Sequence, residues 1–136
     1  MPSHLLDTSV YCQPIKPKPL TSVEARWREL GDEALAISVI CEAEVLYGLQ
    51  LKQSAKLNSL YERLLRDRVR TLAVDATVAM TFSKIKAAGR KKGVLASDFD
   101  FLIAATAKAH GLILAPLNPR HFNRIEGLAV EDWSRA

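Results

Sequence analysis

Five acidic or amide side chains stand out in this 136-residue chain because of where they fall against its apolar runs. Asp7 closes the first run, His4-Leu5-Leu6-Asp7. Glu44 follows the second, at 35–40, and shares one helical face with Tyr47, Gly48 and Leu51 at i, i+3, i+4 and i+7. Asp100, with Asp98 two residues before it, opens the segment that leads to the run at 112–117, and Asn118 ends that run. If these runs are strands of one parallel sheet, the five groups gather at its carboxyl edge, where such sheets bind ligands. Carboxylates held that close repel one another unless a cation lies among them. An all-oxygen set with several carboxylates suits Mg2+ or Mn2+, which can activate a water for in-line displacement at phosphorus.

Each residue also has a plainer use. Asp7 in Asp7-Thr8-Ser9 can cap a helix or turn, and Glu44 can be an ordinary helix residue. Ser97-Asp98-Phe99-Asp100 reads as a capping box, with Asp100 reaching back to Ser97 and Asp98 complementing the helix dipole. Asn118-Pro119 is a common turn. Singly none is strong; convergence of four segments on one edge favours a site.

Other chemistries find less support. Cys12 and Cys41 lack a C-x-x-C partner, so a zinc site is not expected. No dinucleotide fingerprint or phosphate-binding P-loop occurs. His4, His110 and His121 are not spaced as metal ligands and read as surface or helix-end residues. Ser9 and Ser38 show no nucleophile elbow or nearby His. Gly89-Arg90-Lys91-Lys92-Gly93 either touches phosphates or complements a helix C-terminus, and the loop bearing Lys16 and Lys18 has the same two readings.

The elements that must position these groups follow from pattern. Strands are expected at 3–7, 35–40, 71–74 and 112–117, with a final edge strand at 128–130. Pro14, Pro17 and Pro19 should keep 14–19 irregular. Helices are expected from a Ser22 cap to Leu30, over 42–51, around Leu57, Leu60, Tyr61 and Leu64, from an Asp75 cap to Gly93, and over 98–110 behind Ser97; a short turn of helix fits 120–125. The strands are continuously apolar, the mark of a parallel sheet covered on both faces, so the expected class is α/β.

Length and composition agree with one domain over residues 1–136. Hydrophobic residues are 49% and charged residues 25%, which excludes a disordered chain or a disulfide scaffold. No apolar run reaches 18 residues, so no membrane partner is expected. Residues 1–10 have no basic leader and carry Asp7, so no signal peptide is expected; reduced thiols in the cytoplasm follow. The net charge of +4 permits an anionic partner such as nucleic acid.

The same residues resemble a known family. Leu5-Leu6-Asp7-Thr8-Ser9 resembles the opening of a PIN domain. Ile37-Ser38-Val39 with Ala43-Glu44-Val45-Leu46-Tyr47-Gly48 is similar to its second signature, and Asp100-Phe101-Leu102-Ile103-Ala104-Ala105-Thr106-Ala107 to its third. Asn118-Pro119-Arg120-His121-Phe122-Asn123-Arg124-Ile125-Glu126-Gly127-Leu128 resembles the fourth, and Glu131-Asp132-Trp133 a common ending. Within that family the chain looks most like VapC-type toxins of type II toxin–antitoxin modules. The resemblance implies a three-layer α/β/α fold with a mostly parallel central sheet, and a Mg2+-dependent endoribonuclease that Mn2+ can also serve. It implies a cognate antitoxin and commonly a homodimer. Asp7 and Asp100 take the positions of the metal carboxylates, Glu44 that of the third acidic residue, and Asn118 the fourth position; Asp98 is a possible extra ligand. Pro116 and Leu117 depart from the small hydroxyl and polar residues usual before the fourth position, and the proline loop replaces the usual start of a first helix. A housekeeping PIN nuclease of RNA processing and a catalytically silent PIN module that binds RNA or protein are the alternatives.

Overall fold

The computed structural model describes residues 1–135. Four short strands, β1 (His4–Leu6), β2 (Leu35–Ser38), β3 (Arg70–Leu72) and β4 (Ile113–Ala115), form one sheet in the order β3-β2-β1-β4. All three pairings are parallel, with His4 opposite Leu35 and Ile113, and Ala36 opposite Arg70. The helices are α1 (Thr8–Tyr11), α2 (Thr21–Leu30), α3 (Val39–Lys52), α4 (Ala55–Leu64), α5 (Ala76–Lys91) and α6 (Asp98–Ala109).

Alternation along each strand divides the core into two layers. Leu6, Leu35, Ile37 and Ala115 face one side, where they pack with Val10, Trp27, Val45 and Tyr61 from α1 to α4. Leu5, Ala36, Leu72 and Leu114 face the other, where they pack with Val78 and Ile85 of α5 and Phe101, Ile103 and Ala107 of α6. The α/β/α architecture is thus present, with both sheet faces covered. Gly89 allows the α5–α6 approach: a Cβ there would lie 3.0 Å from the Phe101 ring.

Element limits differ from expectation for local reasons. β2 ends at Ser38, not residue 40, because the Ser38 hydroxyl accepts the Ile40 N–H and starts α3. β4 ends at Ala115; the Pro116 carbonyl turns away to accept the Trp133 N–H. β3 is shorter than 71–74, ending at Leu72. The expected edge strand at 128–130 is one bridge, Leu114 to Val130. The proline loop is not wholly irregular: Pro14 is the second residue of a 3-10 turn over Gln13–Ile15, where its missing N–H is harmless. α2 begins at Thr21 with Leu20 before it, and the Ser22 hydroxyl donates to the Trp133 carbonyl rather than capping. The helical turn at 120–125 is reduced to a 3-10 turn, Pro119–His121. Asp75 and Ser97 do cap α5 and α6.

The chain's two ends are tied by one polar cluster. Glu131 lies within hydrogen-bond distance of His4 Nε2 (3.0 Å) and accepts from Arg26 Nε (2.8 Å) and Trp133 Nε1 (2.9 Å). The hydrogen bond from Arg26, aided by His4, holds the carboxyl down at about 2. A carboxyl lowered in the fold stabilises it above its ordinary range, and that stability is lost as pH falls toward 2. Glu131→Gln should therefore cost about 1–2 kcal/mol at pH 7, after allowance for partial exposure. The gap to wild type in urea midpoint should narrow steadily as pH falls from 4.5 toward 2. A gap that keeps its size across that range would assign the effect to packing.

Candidate active site

Asp7 follows β1 directly, and its backbone N–H donates to the Ala115 carbonyl (3.1 Å), which fixes it at the carboxyl edge of the sheet. It occupies the position before α1, yet its side chain makes no capping bond. Its carboxylate instead accepts the Ser9 hydroxyl (2.8 Å). Ser9 Oγ in turn accepts the Leu117 N–H at 3.4 Å, which links the first strand's end to the fourth's. The backbone at 117 thus serves the site although its side chain is apolar.

Glu44 lies on the second turn of α3, half-buried, and accepts the Thr8 hydroxyl at 2.7 Å. Two consecutive hydroxyls, Thr8 and Ser9, each hold one carboxylate. Neither was singled out by sequence as a site residue; their place immediately after Asp7 was the available signal.

Asp100 enters from α6. Its N–H donates to the Ser97 hydroxyl (3.1 Å), so half of the expected capping box forms. Its carboxylate stands 3.6 Å from His121 Nδ1. Asn118 Oδ1 accepts the Arg120 N–H, and Asn118 Nδ2 lies 3.4 Å from His121 Nε2. The amide can only donate there, so the ring's proton is assigned to Nδ1, facing Asp100. His121 is exposed, as its reading as a surface or helix-end residue expects, and lies between Asn118 and Asp100. Its spacing of three from Asn118 was the one sequence clue.

The electrostatics bring the trio together. Burial pushes the Asp7 carboxyl above its ordinary value; the Ser9 hydroxyl opposes this and the Asp100 charge adds to it. Glu44 is raised chiefly by burial, against the Thr8 hydrogen bond, with Asp7 and Asp100 adding repulsion. Asp98 is engaged elsewhere: it pairs with Lys86 of α5 at 2.7 Å, is largely exposed, and is lowered by that partner. Cys41, beside Thr8, is a buried thiol pushed far up by desolvation.

Among the described residues no three His, Cys, Asp or Glu side chains stand close enough to enclose an ion. The trio is an open edge rather than a cage. Mg2+ keeps several waters and takes only one or two protein carboxylates, so an open edge is no obstacle to it. The donor set fits as well: three oxygen acids, two of them desolvated and all mutually repelled, gain most from a positive charge.

Comparison with known proteins identifies the family. The PIN domain family profile matches residues 4–128. The chain is 34% identical over 130 residues to the "tRNA(fMet)-specific endonuclease VapC" of Shigella flexneri, covering 96% of this chain and 97% of that protein. Its fold superposes on the VapBC complex of Salmonella typhimurium bound to DNA with a TM-score of 0.85 and 29% identity, covering 98% and 99% of the two chains. The FitAcB structure from Neisseria gonorrhoeae gives a TM-score of 0.85 and 31% identity over 98% and 99%. No helix among the described residues is long and apolar enough to cross a membrane. On family profile, near-complete alignment and shared fold, the chain belongs to the PIN-domain family and, within it, to the VapC-type ribonuclease toxins.

Proposed function

We propose that the chain hydrolyses RNA phosphodiester bonds at the Asp7–Glu44–Asp100 edge with Mg2+, as the toxin of a toxin–antitoxin pair. What supports this is the charge coupling of three carboxylates, Asp7 just after β1, Glu44 on α3 and Asp100 on α6, with burial and repulsion raising Asp7 and Glu44. Mg2+ bound there supplies Lewis acidity and a water of lowered pKa; Mn2+ is expected to substitute. Thr8 and Ser9 fix the carboxylate orientations, so the ligands need little reorganisation. Asn118 presents amide hydrogens for a phosphate oxygen or the attacking water. An exposed edge of this kind reaches single-stranded or looped RNA, whose backbone is accessible.

The structures it resembles are complexes of VapC-type proteins with a partner, which supports a cognate antitoxin here. Leu46, Tyr47 and Leu51 lie exposed on α3, the helix that bears Glu44, and offer apolar surface for an amphipathic antitoxin segment. An Arg or Lys of that segment would satisfy the carboxylates in place of the cation. A homodimer and a cytoplasmic location belong to the same proposal. Expression of the protein alone should arrest growth, and co-expression with the adjacent gene should restore it. Purified protein should degrade total RNA only with Mg2+ or Mn2+. Unimpeded growth with abundant soluble protein, together with intact RNA in the presence of either ion, would overturn the proposal.

A further inference from the structure

A second basic feature lies outside the carboxylate edge, between α5, α6 and the segment that follows Asn118. A cavity of about 400 Å³ opens there, lined by Lys84, Gly89, Lys92, Lys108, Arg124 and Gly127, among others. Its four cations face one carboxylate, Glu126, which is largely exposed and 3.4 Å from Lys92. Lys108 Nζ donates to the Glu126 carbonyl (3.2 Å), and Arg124 Nη2 to the Lys92 carbonyl (2.6 Å). Carbonyl partners orient these cations without neutralising them.

The arrangement is built in by backbone. Gly127 has φ +76°, and a Cβ there would lie 3.0 Å from Lys108 Cε, so the glycine admits the lysine against the turn. Helix-dipole compensation accounts for Arg90 and Lys91 in the last turn of α5. It accounts in the same way for Lys108 in the last turn of α6, but not for Lys84, two turns earlier on α5, nor for Arg124 from the segment after Asn118.

The cavity connects with the proposed site along two elements. The segment that places Asn118 and His121 beside Asp100 continues through Arg124 to Gly127. α6 carries Asp100 in its first turn and Lys108 in its last, eight residues or ~12 Å apart. A strand with one phosphate at the carboxylates would thus lay its next few phosphates toward the cations.

We propose that this cavity is a track for the phosphate backbone of the bound RNA, an anchoring site separate from the cleavage edge. The proposal rests on the RNA-cleavage reading above. Each cation that contacts a phosphate contributes about 0.7 to the slope of log affinity against log salt for a single strand. Lys84→Ala and, separately, Lys108→Ala should flatten that slope by about 0.7 and weaken binding about fivefold at 0.1 M salt. The probe is a fluorescein-labelled 20-nucleotide single-stranded RNA in EDTA, read by anisotropy. Lys56→Ala on α4, in the opposite layer, removes the same charge and should leave slope and affinity unchanged. Thermal melts verify that all three variants fold.

Unchanged binding in both groove variants, or an equal loss in Lys56→Ala, overturns the track. A saturable calorimetric heat with pyrophosphate at the same salt would assign the cavity to a small free anion and overturn it too. Cleavage of total RNA by the wild-type preparation is scored in parallel. Cleavage that persists while the groove variants bind normally removes this proposal alone; absence of both cleavage and binding removes the functional reading with it.

Discussion

Asp7→Asn should lower RNA cleavage by roughly 10³-fold or more while leaving the fold at least as stable as wild type. The activity loss follows from removing a charged ligand whose cation supplies several kcal/mol to the transition state, where ~4 kcal/mol corresponds to about 10³ in rate. The stability effect has the opposite sign. The Asp7 carboxyl is raised by burial and by Asp100, so its ionised form is strained in the free protein. A raised carboxyl favours the fold at pH below its unfolded value, and that contribution is lost as pH rises through the folded one. At pH 7 without divalent ions the amide should therefore gain about 1 kcal/mol, or roughly 3–5 °C in Tm. Near pH 3 the two proteins should melt together. The amide retains an oxygen for the Ser9 hydroxyl, so the local geometry survives. Asn caps a helix as well as Asp does, so a residue that merely capped α1 would leave activity and Tm unchanged. Calorimetric melts at both pH values beside a cleavage time course separate the two. Wild-type cleavage by this variant would make Asp7 a turn residue.

The class of fold and the placement of Asp7 at the sheet's edge were legible because both depend on short-range pattern. Continuous apolar runs bounded by polar residues announce doubly covered strands. A carboxylate placed immediately after such a run must emerge at the sheet's edge, as Asp7 does. Strand lengths were less legible because the apolar run outlasts the ladder. Val39 and Ile40 stay apolar after the Ser38 hydroxyl has already begun α3, and Pro116-Leu117 continue past Ala115 while the backbone turns to Trp133. Apolarity does not report pairing, and Val39 is even exposed. The supporting groups were not legible because they depend on contacts across long separations. Thr8 meets Glu44 across 36 residues, Ser9 meets the backbone of Leu117 across 108, and His121 meets Asp100 from a different element. Asp98 shows the same limit in reverse. Asp100 lies on the side of His121, but two helical steps direct Asp98 to Lys86.

Asn118→Asp should tighten Mn2+ binding by about tenfold, or ~1.4 kcal/mol, while slowing cleavage. Asn118 ends the β4 segment with a neutral amide where a fourth carboxylate would raise the formal charge of the edge from three to four. Two charges 4 Å apart interact by ~1 kcal/mol in water and ~4 kcal/mol near a protein surface; an exposed corner belongs toward the lower figure. The same charge that draws the cation repels the phosphate, and the variant has no amide hydrogen to offer it. The His121 contact must also change. Asn118 now faces Nε2 as a donor, whereas a carboxylate can only accept, so the imidazole must present a proton on that nitrogen. An imidazole with one N–H can serve only one of the two carboxylates, Asp100 through Nδ1 or the new one through Nε2. The exposure of the corner keeps the expected gain to one order of magnitude rather than two. Calorimetric titration of wild type, Asn118→Asp and Asn118→Asp/His121→Gln with Mn2+ resolves the contributions. Both variants that carry Asp at 118 should bind more tightly than wild type, because each adds the same charge to the edge. Equal affinities in all three would place Asn118 outside the metal site, and the apolar Pro116-Leu117 pair before it would then mark a fourth corner that does not participate.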